Sequence, residues 1–194
     1  MKSNSVFMSY VLRHDPDAIQ LDMNHRGWVS IEQLINNAHM VKRKLTIEEI
    51  QKIVKEDGKG RYAISEDGKF IRALQGHSIS KDRVSIEFDE KIPPAILYHG
   101  TATRFMDSIK EKGIISNNRQ YVHLSSNEET AINVGSRHGT PIILEIKTQE
   151  MLKDGHVFFI SKNGVWLTDS VPVKYFSVKE NQDYKEVLNL NKKL

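Results

Sequence analysis

A charged stretch running from Asp82 into Lys91-Ile92-Pro93-Pro94 divides this 194-residue chain into halves of different hydrophobic patterning. Its composition is that of a linker and puts a lobe boundary near residue 90, with lobes at 1–90 and 91–194. Each is long enough to bury a core of its own. In the first half, residues 3–13 read as a short helix with Phe7, Val11 and His14 on one face, stopped by Asp15-Pro16. Ser30 with Gln33, and Thr46 with Glu49, are capping boxes that open helices over about 31–39 and 47–56. Two β-type runs, Arg61–Ser65 and Lys69–Leu74, flank the turn residues Glu66-Asp67-Gly68 and predict a hairpin. Three helices followed by a hairpin suggest a winged-helix module.

Past the boundary the spacing predicts short strands around two helices, so the whole chain is expected to be α+β. Strands are expected at Ala95–His99, Tyr121–Ser125, Pro141–Lys147, His156–Ser161, Val165–Thr168 and Val173–Val178, with an Asn163-Gly164 turn before Val165. One helix over about 104–112 is closed by Gly113; another is opened by a Ser126/Glu129 capping box and ended by Gly135. The Lys-rich tail after Asp183 reads as a helix or a frayed end.

Composition removes several function classes. The chain has no Cys, which excludes disulfides, thiolate metal sites and cysteine nucleophiles and fits a reducing compartment. Met1–Arg13 lacks the basic-then-apolar order of a secretory leader, and no run of 18 apolar residues occurs, so a cytoplasmic protein without a membrane span is expected; a monomer is expected as well. The first 90 residues balance 14 basic against 14 acidic side chains, and the rest carry 14 against 11. That is too little excess to coat DNA through bulk charge, so phosphate recognition would need a few well-placed arginines. Neither a G-x-x-x-x-G-K-[ST] nor a G-x-G-x-x-G motif is present, and the eight histidines include no H-E-x-x-H and no i, i+4 pair. No metal site is expected.

Strand parity separates core from cleft. Phe70, Arg72 and Leu74 share a face of the predicted hairpin, which places a charged Arg72 in an apolar row and calls for an anion beside it. Along Tyr121–Ser125, Val122 and Leu124 take one face; Tyr121, His123 and Ser125 take the other, which has the character of a polar cleft. His99 is expected at a strand end, followed by Gly100, which allows close backbone approach. Taken singly, each has a plainer reading: arginines on edge strands reach to water, His14 can answer a helix dipole, and Arg137-His138-Gly139 can be a helix end. Pattern alone supports a two-lobed, anion-binding protein.

Four segments together resemble one family. Tyr10-Val11-Leu12-Arg13-His14-Asp15-Pro16, Phe70-Ile71-Arg72-Ala73-Leu74-Gln75-Gly76-His77-Ser78, Leu97-Tyr98-His99-Gly100-Thr101 and Val134-Gly135-Ser136-Arg137-His138-Gly139-Thr140-Pro141 look like the signature blocks of the RNA 2'-phosphotransferases, the Tpt1/KptA family. Gly27-Trp28-Val29 and Val122-His123-Leu124-Ser125 extend the match over roughly residues 6–176. The resemblance implies an N-terminal winged-helix RNA lobe and a C-terminal lobe with the NAD+-binding fold of ADP-ribosyltransferases, built on an antiparallel or mixed sheet. It implies a two-step reaction on RNA bearing an internal 2'-phosphate of the tRNA splice-junction type. The phosphate attacks the nicotinamide ribose of NAD+ and releases nicotinamide; transesterification then frees the RNA 2'-OH and ADP-ribose 1'',2''-cyclic phosphate. By resemblance Arg13, His14, Arg72 and Arg137 are the catalytic residues, and His99, Gly100, Thr101, His123 and Ser125 belong to the NAD+ site. Tyr121 departs from the pattern, since family members often carry His there.

This chemistry suits the side chains. A phosphomonoester is mostly dianionic at pH 7, so the nucleophile needs no carboxylate base, and arginine forks grip phosphate oxygens in pairs. Two other classes make different demands. A winged-helix DNA regulator needs a basic recognition helix, whereas 47–56 sets Glu48, Glu49 and Glu56 against Lys52 and Lys55. An ADP-ribosyltransferase acting on nucleic-acid phosphate ends would stop after the first transfer and leave a stable RNA adduct.

Overall fold

The structure is a computed structural model that describes residues 3–179; the tail expected to be a helix or a frayed end lies outside the described residues. The chain forms two compact units. The first runs to Phe88 and takes in Asn118–Gln120 and Ser161–Asn163, while the second comprises Asp89–Asn117, Tyr121–Ile160 and the chain from Gly164.

The first unit contains α1 (Asn4–Arg13), β1 (Val29–Ser30), α2 (Ile31–Met40), α3 (Ile47–Lys55), β2 (Tyr62–Ile64) and β3 (Phe70–Ala73). Side-chain caps start the helices: Ser30 Oγ accepts from Gln33 N and Thr46 Oγ1 from Glu49 N, each satisfying an amide that has no partner within its helix. The strands form an antiparallel sheet in the order β1-β3-β2, with Val29 opposite Ile71 and Ala63 opposite Arg72. Met8, Val11 and Leu12 of α1 meet Leu34, Ala38, Ile50, Ile71 and Ala73 in the core. Each large apolar side chain buried there contributes about 1.5–3 kcal/mol.

Two expectations shift. The buried stripe of α1 is Met8-Val11-Leu12, with Phe7 at its margin and His14 exposed just beyond the last turn, so the core meets this helix about one residue round from the expected face. On β3 the core-facing residues are Ile71 and Ala73, while Phe70 is exposed and Arg72 points away from the core. Leu74 lies past the strand end, so the apolar row expected around Arg72 does not form.

The second unit contains β4 (Asp89–Glu90), β5 (Ile96–Ala102), α4 (Met106–Lys112), β6 (Ile114–Ile115), β7 (Val122–Leu124), α5 (Glu128–Gly135), β8 (Pro141–Lys147), α6 (Thr148–Lys153), β9 (Phe159–Ile160), β10 (Trp166–Thr168), β11 (Ser170–Val171) and β12 (Phe176–Val178). Its strands pair antiparallel as β12-β8-β5, β4-β9-β10-β7 and β11-β6. The two larger sheets meet at a single bridge, Tyr98 with Ser125, which places β7 beside β5. Leu97, Leu124, Leu144, Ile146, Phe158 and Trp166 fill the core, and α5 packs Ala131 and Ile132 on Ile143.

β5 continues to Ala102, so His99 sits inside the strand and not at its end. The cap of α5 is Asn127, whose Oδ1 accepts from Thr130 N, one residue after the expected Ser126; asparagine is as good a cap, and it sets the helix start. α6 was not expected, because it continues directly from β8 with no side-chain cap.

Candidate functional site

The basic and imidazole groups of the first unit gather where α1 ends. Past β3 the chain turns at Gly76, and Ser78 N donates to Arg13 O at 2.9 Å while Ser78 Oγ and His14 Nδ1 share a 2.8 Å hydrogen bond. The segment carrying Arg72, Gln75 and His77 is thereby fastened to Arg13 and His14. The structure brings three of the four expected catalytic residues, Arg13, His14 and Arg72, into one cluster.

Arg13 is only 8% exposed, its guanidinium lies 5.9 Å from the Tyr62 ring, and its Nε and Nη2 have no partner among the described residues. Arg72 stacks on Trp28, 4.5 Å from its ring, and donates through Nη1 to Arg26 O at 3.3 Å, but its buried Nε is unpartnered. The nearby carboxylates are committed elsewhere: Asp57 to Arg61 at 2.7 Å and Glu87 to Arg26 at 3.7 Å. Burial, and then Arg61 and Arg119, hold Arg13 below the ordinary arginine range; burial and Arg26 do the same for Arg72. Partial desolvation of its ring against the neighbouring segment, with Arg119 and Arg13, lowers His14 although the residue as a whole is exposed. His77 is pushed down to about 4 by burial and by Arg13, His14 and Arg72. Asp57 and Glu87 act on Arg13 and Arg72, but burial outweighs them, and buried cationic donors left without a hydrogen-bond partner suit an anion.

Sequence reasoning gave no role to His77, Gln75 or Arg119. His77 and Gln75 carry buried unpartnered atoms, and Arg119 bears electrostatically on Arg13 and His14. Nothing in local patterning marks a polar atom that will be buried without a partner, and Arg119 joins this unit from 118–120, far along the chain.

In the second unit the remaining expected residues lie on β5 and the segments flanking it. His99 Nδ1 donates to His123 O at 3.1 Å; a carbonyl only accepts, so Nδ1 carries the proton. Burial lowers the His99 pKa, keeping the ring neutral with Nε2 as an acceptor. Gly100 and Thr101 are buried, and His123 is half-buried on the face opposite Val122 and Leu124, as parity predicts. Ser125 Oγ donates to Asn127 O and accepts from Asn127 N, which ties it to the start of α5. Gly100 makes a close approach, but to the helix: a Cβ there would lie 1.7 Å from Ala131 O. Gly135 answers it, since a Cβ on that residue would lie 2.4 Å from Thr101 O. Arg137 is exposed on the one-turn helix Ser136–His138 that follows α5.

Among the described residues no group of three or more His, Asp or Glu is placed to hold a metal ion, and no helix is long and apolar enough to cross a membrane.

Comparison with known proteins gives a consistent result. The family described as RNA 2'-phosphotransferase, Tpt1 / KptA family, matches residues 2–170. A probable RNA 2'-phosphotransferase of Acaryochloris marina (strain MBIC 11017) is 51% identical over 176 residues, covering 91% of this chain and 96% of that one. That of Pectobacterium carotovorum subsp. carotovorum (strain PC1) is 53% identical over 171 residues, covering 88% and 91%, and that of Escherichia coli O9:H4 (strain HS) is 48% identical over 175 residues, covering 90% and 94%.

Proposed function

This chain belongs to the Tpt1/KptA family of RNA 2'-phosphotransferases, and from that premise we propose that it removes an internal 2'-phosphate from RNA in an NAD+-dependent reaction. The observation that carries the reading is that the buried Nε and Nη2 of Arg13 and the buried Nε of Arg72 lack partners beside His14. A phosphomonoester dianion offers several acceptor oxygens and two negative charges to such donors, and its ionised oxygen is already a nucleophile at neutral pH. Arg13 and Arg72 orient the phosphate and offset its charge. His14, held neutral and fastened by Ser78, takes the proton from the attacking ribose hydroxyl and passes it to the RNA 2'-oxygen as the bond between that oxygen and phosphorus breaks.

The second unit is the proposed NAD+ site, and its groups fit that ligand. A neutral His99, whose Nδ1–H is taken by His123 O so that Nε2 is an acceptor, suits ribose hydroxyls and an amide together with the His123 ring and the Thr101 hydroxyl. NAD+, when bound, supplies an electrophilic ribose carbon with nicotinamide as the leaving group. Arg137 is assigned to the same reaction as a charge-stabilising group. On this reading the three helices and the β1-β3-β2 sheet of the first unit are a winged-helix RNA-binding module, and the second unit is of the ADP-ribosyltransferase type. The protein acts in the cytoplasm as a monomer, on RNA of the splice-junction type.

The test is incubation with NAD+ and a short RNA bearing one internal 2'-phosphate, following RNA mass and small products together. Loss of one phosphate with release of nicotinamide and ADP-ribose cyclic phosphate is the expected result. A stable RNA adduct would move the activity to one-step ADP-ribosyl transfer; dephosphorylation without NAD+ would overturn the NAD+ dependence.

A further inference from the structure

Five buried side-chain atoms have no hydrogen-bond partner among the described residues, and all five lie in the first unit, on Arg13, Arg72, Gln75 and His77. The proposed function uses the arginines and leaves His77 unexplained. This side chain is 2% exposed, yet its Nε2 meets neither donor nor acceptor. If packing alone set this position, an apolar side chain of similar size would serve better, because a buried polar group without a partner is destabilising.

The ring's placement is built into the fold. Ser78, the next residue, is fastened to Arg13 O and His14 Nδ1, and Gln120 N donates to His77 O at 3.1 Å. Gly27, with φ of 77°, lies beside the same nitrogen and the apolar Val84 and Ile86: a Cβ there would be 3.0 Å from Ile86 Cδ1 and 3.6 Å from both His77 Nε2 and Val84 Cγ1. The titratable and charged groups bearing on the ring are Arg13, His14 and Arg72, none of them a carboxylate.

We propose that His77 is a further substrate-binding residue, whose Nε2–H donates to an oxygen of the same 2'-phosphate that Arg13 and Arg72 hold; this rests on reading the cluster as the phosphate site. Because the ring stays neutral down to about pH 4, it adds a directional hydrogen bond without a fourth charge. A neutral donor among cations favours a phosphate oxygen at one position over a diffuse anion, which is a device for orientation.

The test compares the full chain with His77→Leu and His77→Gln, measuring thermal unfolding without ligand and affinity for one RNA with and without an internal 2'-phosphate. His77→Leu should keep or raise the midpoint of unfolding and weaken binding of the phosphorylated RNA by about tenfold or more, leaving the unphosphorylated RNA unchanged. His77→Gln, which keeps a neutral donor, should stay within about threefold of the parent. A lowered midpoint with unchanged phosphate preference in His77→Leu would make the ring structural and overturn the inference. If His77→Leu does not fold, a folded His77→Gln that loses the phosphate preference would overturn it as well. Failure of the parent to prefer the phosphorylated RNA would instead remove the phosphate-site reading itself.

Discussion

The Arg13 guanidinium, the Arg72 guanidinium and the His77 imidazole share one condition: each has polar atoms taken from water and given no partner. For His77 the consequence is measurable without substrate. Its pKa is about 4 in the folded protein against an ordinary 6.5, so as pH falls below 6.5 the unfolded chain takes up the proton first. The His77 contribution to stability is then expected to fall between pH 6.5 and 4 by about 3 kcal/mol and to level off below, with His14 contributing in the same direction and Asp17, Asp57 and Asp154 adding their own loss at lower pH. Denaturant unfolding across that range checks it: His77→Leu should flatten the slope, and an unchanged slope would show that the ring is not the titrating group. Arg13 and His14 were singled out in the sequence through their motif block, and Arg72 through its block and through strand parity. The parity argument placed Arg72 in an apolar row that does not form; its real support is the stack on Trp28, a contact across the sheet from β3 that spacing does not reveal.

Elements were most legible where a local rule acts alone. Ser30 and Thr46 cap the helices they were expected to cap, and the Glu66-Asp67-Gly68 turn joins β2 to β3, because cap and turn chemistry depend on a few adjacent residues. The two-residue strands β6 and β11 and the uncapped α6 escaped, since each is held by tertiary pairing or packing and not by its own pattern. Gly100 shows the same limit from the other side. The expectation of close backbone approach was correct, but the partner is α5, and only the fold could show it. Gly100→Ala should therefore separate α5 from β5 and destabilise the second unit by about 3 kcal/mol or more, at the upper end of overpacking. Thermal unfolding checks this, and a midpoint within a degree of the parent would refute the close packing. Asn127 and Ser125 bind each other where α5 begins, so this helix start is held from both ends of the turn.

At the scale of the molecule, the chain forms two compact units, and Asn118–Gln120 and Ser161–Asn163 return to the first, which the change in patterning after the first 90 residues does not indicate. Those returns carry long-range hydrogen bonds that no local pattern predicts: Gln120 Nε2 donates to Ile79 O and Val84 O at 2.8 and 2.6 Å, and Asn163 Nδ2 donates to Lys59 O at 2.7 Å. A fragment ending at Phe88 should consequently show faster amide exchange over residues 79–84 than the whole chain, because it lacks the amide of Gln120. Equal protection in both would mean that this loop holds itself. Family membership, the unpartnered cationic cluster and the committed carboxylates around it converge on one claim, that the first unit binds a phosphate dianion carried by RNA. The most direct measurement is the affinity of the parent and of Arg72→Ala for one short RNA with and without an internal 2'-phosphate, without NAD+ and at fixed salt. The parent should prefer the phosphorylated RNA by about tenfold or more, and Arg72→Ala should lose most of that preference. Equal affinity of the parent for both RNAs would contradict the claim.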